Sequence, residues 1–542
     1  MASERLHLPS EPASTEENIP TGDYASQVEK TDTSEGRQTT ITRSDRSADE
    51  EYPHGIKLFL IVTSLCFAVF LMALDQSILA TAIPKITDAF NSLDDVGWYG
   101  SAYLLTTASL QLLFGKLYTF LDIKRVFLVA ISFFELGSLL CGVAQSSVML
   151  IVGHAIAGIG AAGLFSGGLL ILAKTSIAGP LLGGVFTDKA TWRWCFFINL
   201  PIGAITFIGI TIFFPSPKKP IETFSTNESF PARINLFDPL GTIFFIPSII
   251  CLLLALQWGG STYAWNSGRV IALFVLTGVL LLVFLGVQGW KKEDATVPPR
   301  IMKKHAVWSS SLYSFCVGAA QFIMIYYVPI WFQAILGVTA LQSGIRVLPL
   351  LLASVIAAFL CGAAVTVLGY ITPFMFLGTI FMATGGGLIH TWTPDTGSPV
   401  WIGYQVLFGL GFGMALQLPM LVAQTVLARE DLGVGMALMT FLQSLGGAVF
   451  VSVGQNVFDN QLVTAIETYA PSVDPESIIL AGATSFRNYV PADQLANVVL
   501  SYNNALAKTF LVSAAMGAAS FLGAALVGWR SARGKQMDMA MA

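Results

Sequence analysis

Gly179-Pro180-Leu181-Leu182-Gly183-Gly184 lies inside an apolar segment of a chain built almost wholly from such segments. At membrane depth a backbone broken by Gly and Pro is tolerated only where neighbouring helices or a wet cavity satisfy the freed groups. Discontinuous apolar segments of this kind point to a transport path. A tight turn between the buried helices of a soluble protein is the competing reading, and composition opposes it. Of 542 residues, 54% are hydrophobic and 11% charged, against about 25% charged in a soluble domain.

Working outward, runs long enough for a crossing of about 20 residues lie at 56–83, 96–118, 126–144, 148–173, 196–214, 239–258, 270–289, 307–333, 345–369, 371–391, 400–427, 434–455 and 506–528, with a short run at 177–186. They lack strand-like alternation and exceed the roughly 9–11 residues of a barrel strand. The fold class is therefore all-α, a polytopic membrane protein. Residues 1–55 hold twelve acids against five bases and are rich in Ser and Thr, which reads as a disordered acidic tail. They have no basic start, apolar core and small-residue cleavage site of a signal peptide, so 56–83 is expected to be an uncleaved anchor. The six cysteines fall in or beside apolar runs, with no disulfide framework or zinc spacing.

Basic residues set the expected orientation. With the amino terminus inside and fourteen crossings, Lys124, Arg125, Lys174, Lys218, Lys219, Arg233, Lys291, Lys292, Arg300, Lys303, Lys304, Arg429, Arg530, Arg533 and Lys535 face the cytosol. Trp98, Trp192, Trp194, Trp392 and Trp401 are expected at the outer boundary.

A family resemblance rests on four ordered stretches: Leu74-Asp75-Gln76-Ser77 through Pro84, Gly115-Lys116-Leu117-Tyr118 through Asp122-Ile123-Lys124-Arg125, His154 through Gly163, and Ala178 through Gly184. They resemble the motifs of the major facilitator superfamily. Trp192-Arg193-Trp194-Cys195-Phe196-Phe197-Ile198-Asn199-Leu200-Pro201, Gly446-Gly447-Ala448 and the long last external loop are similar to fungal fourteen-helix drug:proton antiporters, including exporters of secondary metabolites and toxins.

The resemblance implies a cytosolic tail (1–55), an amino-terminal six-helix bundle (56–214), a cytosolic loop (215–238), two linking helices (239–289), a cytosolic loop (290–306), a carboxy-terminal bundle (307–455 and 506–528), an external loop (456–505) and a cytosolic tail (529–542). It also implies alternating access driven by a proton gradient. Gly115, Asp122, Lys124 and Arg125 correspond to the gate motif, and Gly179, Pro180, Gly183 and Gly184 to the antiporter motif.

Three departures stand out. Thr119 occupies the gate motif's usual acid position, and His154 stands where an arginine is common, replacing a permanent charge with one that titrates near physiological pH. The fifth segment, from Lys174 to Asp188, has room for only about half a crossing, as though about twenty residues of the helix 4–5 connection were missing from the family pattern. Residues 148–186 could form two minimal helices turning at Ser166-Gly167-Gly168. Alternatively helix 4 stays whole and 177–186 dips in as a half-helix, or a crossing is lost and later topology inverts. The positive-inside bias opposes inversion. On the same bias Asn227-Glu228-Ser229, the one Asn-x-Ser/Thr acceptor, is expected in the cytosol without a glycan.

Ionisable residues at membrane depth are functional candidates because each costs several kcal/mol unless paired. Asp75, Glu135 and His154 are the proton-coupling candidates; a helix-bridging hydrogen bond or a histidine bonded to a carbonyl is the plainer alternative. Gln111, Gln321, Phe322, Tyr326, Trp331, Gln417 and Gln443 are candidate substrate-lining groups, sparse polar atoms and ring faces suited to amphipathic molecules. Glutamines also serve as interhelical glue.

The expected function is proton-coupled efflux of small amphipathic organic molecules. Its rivals are a transport-impaired membrane protein, given the short fifth segment, and a membrane sensor. No HExxH or Ser–His spacing suggests an enzyme, and the Gly158–Gly168 run lacks the strand and Lys-Ser/Thr of a nucleotide loop. Expectation therefore includes no cofactor, the proton gradient as energy source, a small-molecule substrate and the bilayer as partners, and neither nucleic acid nor an obligate protein partner. The plasma membrane is the expected residence, with the vacuolar membrane as the alternative.

Overall fold

The computed structural model describes residues 56, 60, 61, 63, 64, 67, 68, 71, 72, 75, 86, 90, 96–175, 197, 199–214, 235, 237–260, 263–479, 486, 487 and 490–529. Regular structure there is helical apart from an isolated bridge between Gly259 and Tyr263. The described residues between 60 and 75 are helical. They are followed by α1 (Val96–Phe120), α2 (Ile123–Gly142), α3 (Ser147–Thr175), α4 (Asn199–Phe213), α5 (Pro239–Trp258), α6 (Gly268–Lys291), α7 (His305–Ala334), α8 (Ala340–Leu368), α9 (Thr372–Ile389), α10 (Ser398–Val426), α11 (Leu432–Tyr469) and α12 (Leu495–Val527). Ten described helices are long and apolar enough to cross a membrane, so this is a multi-pass membrane protein.

Several boundaries differ from expectation. α3 is unbroken from Ser147 to Thr175, which rules out a hairpin turning at Ser166-Gly167-Gly168; a helix keeps its backbone bonded through small residues when close neighbours need the room. Gly179, Pro180, Gly183, Gly184 and Asn227 lie outside the described residues. The expected external loop is partly helix: α11 runs on to Tyr469 and α12 begins at Leu495. At 1.5 Å per residue the 38 residues of α11 extend about 57 Å, well beyond a hydrocarbon core of about 30 Å.

Two apolar cores organise the packing. One gathers α1–α3 with residues 61–72 and the facing sides of α5 and α11; the other gathers α7, α9, α10 and α12. Within the first, α3 lies so close to α2 that a Cβ on Gly160 would strike the Phe134 backbone nitrogen. Trp392 and Trp401 are buried in the second, against Phe332. They are core residues and not members of an outer aromatic belt, because the aromatic surface each buries there outweighs the interfacial preference of its ring.

α1 and α11 join the halves. A Cβ placed on Gly115 would lie 2.5 Å from the Ala437 Cβ and 3.4 Å from the Gly433 carbonyl. Gln111 Nε2 donates to Thr440 Oγ1 at 2.9 Å and to Ser166 Oγ at 3.0 Å, so one buried amide ties α1, α3 and α11. Asp122 caps α2 by accepting the Arg125 N–H at 3.0 Å, which satisfies one of that helix's orphan donors. Lys124 Nζ donates to the Thr211 carbonyl of α4 at 2.7 Å. Arg125 is exposed. At this basic end the halves meet through small residues, while Asp122 caps its own helix and Lys124 ties α2 to α4.

The α5–α6 hairpin is held at its base by Asp238, fully buried with a left-handed backbone (φ 50°, ψ 62°). Its carboxylate accepts from Gln288 Nε2 (2.8 Å), Thr296 N (2.9 Å), Thr296 Oγ1 (2.8 Å) and Gly241 N (2.9 Å), and pairs with Lys291 Nζ at 3.2 Å. Burial alone would raise its pKa, but the hydrogen bonds from Gln288, Gly241 and Thr296 outweigh burial and hold the carboxyl below its ordinary range. Buried Lys116 of α1 reaches across to donate to the Asp294 carbonyl at 3.0 Å. Next along the chain, Arg300 binds Asp431 through two bonds of 2.8 and 2.9 Å and also meets Glu293.

Three measurements follow from these contacts. Asp238→Ala leaves four donors unanswered and removes the carboxylate paired with Lys291, which keeps only Asn235 Oδ1, and should destabilise the protein by about 3–5 kcal/mol, read as thermal unfolding in detergent. A lowered carboxyl stabilises above its unfolded pKa, and that contribution is lost as pH falls through the folded value. The melting temperature should therefore drop on acidification from about pH 7 to about pH 3 more steeply in the wild type than in Asp238→Asn; equal slopes would show that Asp238 does not govern the acid limb. Separately, Gly115→Cys with Ala437→Cys, in a background without native cysteines, should form a disulfide after mild oxidation, since small movements bring the Cβ atoms to the roughly 3.5–4.5 Å such a bond needs. Chains cut at a protease site inserted between 218 and 233 should then run as one species until reduced; separation without reductant would mean that α1 and α11 do not meet there.

Candidate functional site

The amino-terminal half encloses a polar set that apolar helices have to satisfy internally. Asp75, His154, Ser138 and Asn199 are all buried, at 1%, 2%, 0% and 0% exposure. His154 stands on α3, Ser138 on α2 and Asn199 at the first position of α4. Three helices and the Asp75 segment thus converge on one point.

His154 Nδ1 lies 2.5 Å from the Tyr99 carbonyl and Nε2 lies 3.2 Å from Asp75 Oδ2. A carbonyl can only accept, so Nδ1 carries a proton. Nε2 faces a carboxylate oxygen, and a hydrogen bond between them requires one further proton, carried either by the ring or by the Asp75 carboxyl. The Tyr103 ring packs on the imidazole with centroids 5.0 Å apart.

Asn199 Nδ2 donates to Asp75 Oδ1 at 3.2 Å and to Ser138 Oγ at 3.1 Å. Both Asp75 oxygens therefore have partners, while Asn199 Oδ1 has none.

The structure brings together Asp75 and His154 from among the expected proton carriers. Glu135 is not hydrogen-bonded to either: both its carboxylate oxygens are buried without a hydrogen-bond partner, against Gly203 of α4. Asn199 and Ser138 were not singled out from sequence. The available signal was an amide just before Leu200-Pro201 in an otherwise apolar run.

The substrate-lining candidates divide. Gln417 is exposed, Tyr326 and Gln321 are half-buried, and Gln443 Nε2 donates to Gln321 Oε1 at 3.4 Å. Trp331, expected as a lining ring, is instead core: it is 1% exposed, its Nε1 donates to Asn503 Oδ1 at 2.9 Å, and its ring packs on Trp392 at 4.6 Å. Burying so large a ring with its N–H paired is favourable, and no face remains for a ligand. Phe322 lies against Gly447 and is 7% exposed. Gln111 is wholly buried and acts as interhelical glue.

Known proteins share this arrangement of sequence. The description of the Major Facilitator Superfamily matches residues 65–176 and 174–451. "MFS-type efflux pump MFS1" of Trichophyton rubrum is 49% identical over 508 residues, covering 90% of this chain and 94% of that protein. "MFS-type transporter astH" of Aspergillus oryzae is 48% identical over 529 residues, covering 94% and 93%. The "Aspyridones efflux protein" of Neocamarosporium betae is 47% identical over 539 residues, covering 95% of each. With near-complete coverage at this identity, an all-helical fold and a family match over most of its length, the chain belongs to the major facilitator superfamily.

Proposed function

We propose that the chain exports small amphipathic organic molecules across the plasma membrane in exchange for protons, and that the Asp75–His154 pair binds the coupling proton. The single observation that carries this reading is a titratable pair buried at membrane depth, with His154 Nε2 set 3.2 Å from Asp75 Oδ2. The efflux names of the relatives support export, and one of them is named for aspyridones. The vacuolar membrane is the alternative residence.

The geometry supplies a mechanism. With the shared proton present, the link between Asp75 and α3 is a charge-assisted hydrogen bond. Once the proton leaves, Nδ1 still donates to Tyr99, so Nε2 presents a bare lone pair to a carboxylate and the contact turns repulsive. Asn199 keeps hold of Oδ1 in both states. Proton occupancy thus biases how tightly the Asp75 segment, α3 and α4 are joined, and a change in that packing alters what the space between the halves can hold.

A transport-impaired product is the second reading. It is favoured by the two stretches of the family match meeting at 174–176, where the sequence predicts a shortened connection.

Asp75→Asn tests the coupling. The amide keeps shape and removes titration, so purified mutant should bind lipophilic compounds as the wild type does, while accumulation by inverted vesicles falls to the level reached without a pH gradient. Wild-type accumulation with unchanged pH dependence would remove Asp75 from the coupling role. Wild-type protein that inserts normally but exports no member of a lipophilic panel would favour the second reading.

A further inference from the structure

A groove of about 420 Å³ lies between α2 and α4, lined by Glu135, Leu200, Gly203, Ala204, Phe207 and Ile208, with Ser132 at its margin. That volume falls within the roughly 300–1,000 Å³ of small-molecule sites. Phe207 and Ile208 are 38% and 55% exposed, on a helix that is apolar throughout, so the mouth opens toward the hydrocarbon. The groove adjoins the Asp75 site, since Leu200 follows Asn199 and Glu135 lies one turn from Ser138, but the two Asp75 oxygens are already engaged by His154 and Asn199.

Glu135 is the unusual element. Neither of its buried oxygens has a hydrogen-bond partner, and an acid left without one at membrane depth is a costly feature that calls for a functional explanation. Room has been made for it: a Cβ on Gly203 would fall on the Glu135 carboxyl. Ser132 offers it no donor, because its hydroxyl donates to the Leu128 carbonyl at 2.8 Å. Glu135 lines the groove with both carboxylate oxygens buried beneath its surface, so an ammonium reaches them only if the side chain turns about its own torsions. A lipid acyl chain would fill the apolar walls and leave the acid without a partner, whereas an amphiphile with a cationic head satisfies both.

We propose that this groove binds lipophilic amines dissolved in the membrane, the ammonium on Glu135 and the apolar body along Leu200, Ala204, Phe207 and Ile208. The site is on the lipid-facing surface, and its occupancy can be read directly whether or not the chain exports.

The full chain is placed in nanodiscs of zwitterionic phosphatidylcholine at about pH 7 and labelled with a diazirine derivative of dodecylamine, with unlabelled dodecylamine or dodecanol as competitor. Adducts should map to peptides spanning 132–135 and 200–208, and the amine should compete about tenfold better than the alcohol, as expected of one charge-assisted hydrogen bond. Glu135→Gln, checked for unchanged elution and melting, should erase that preference. Ala204→Trp, which fills the groove from an exposed position, should reduce labelling by both heads. Equal competition by amine and alcohol, a preference that survives Glu135→Gln, or labelling lost only in Asp75→Asn would each overturn the proposal, the last by placing the amine at the central pair.

Discussion

Inside a lipid-solvated bundle a polar group has no water to fall back on, and the arrangement of this protein follows from who answers each one. Asp75 is answered by His154 and Asn199, Asp238 by Gln288, Lys291, Thr296 and Gly241, and Gln111 by Ser166 and Thr440. Each of these knots joins segments far apart in the chain. The polar atoms are few, so they specify which helices are neighbours, while apolar area and small residues set how closely those neighbours approach. The pattern is incomplete: Gln111 Oε1, Asn199 Oδ1 and Trp392 Nε1 have no partner, and Glu135 is the one carboxylate among the described residues with both oxygens buried and unpartnered.

The two halves differ in how they use this economy. In the amino-terminal half, hydrogen bonds centre on Asp75, which meets His154 of α3 and Asn199 of α4, and Asn199 in turn meets Ser138 of α2. The carboxy-terminal half is built round rings: Trp331, Phe332, Trp392 and Trp401 pack together with one indole N–H paired to Asn503. Rings in such a core do not titrate. The two halves meet where α1 lies against α11.

Much of the helical plan was legible because lipid imposes length and hydropathy together. The run at 239–258 coincides with α5, and 270–289 falls within α6. Legibility failed where helices leave the hydrocarbon: residues 456–469 and 495–505 are polar enough to read as loop, yet they continue α11 and α12, since a helix in water needs no apolar run. For the site, Asp75 and His154 were legible as rare charges at depth. Asn199 was not, because its role depends on a partner 124 positions away. Trp331 shows the reverse error, in which a ring's chemistry is visible in sequence and its burial is not.

The base of the α5–α6 hairpin bears on biosynthesis. The groups that satisfy Asp238 lie between Gly241 and Thr296, so the hairpin can close over its own charge before any of α7–α12 has been synthesised. A nascent chain paused there presents the insertion machinery with two paired helices and a base whose buried carboxylate already has its counter-ion. The later half then assembles against a finished surface, with Lys116 and Asp294 marking the seam.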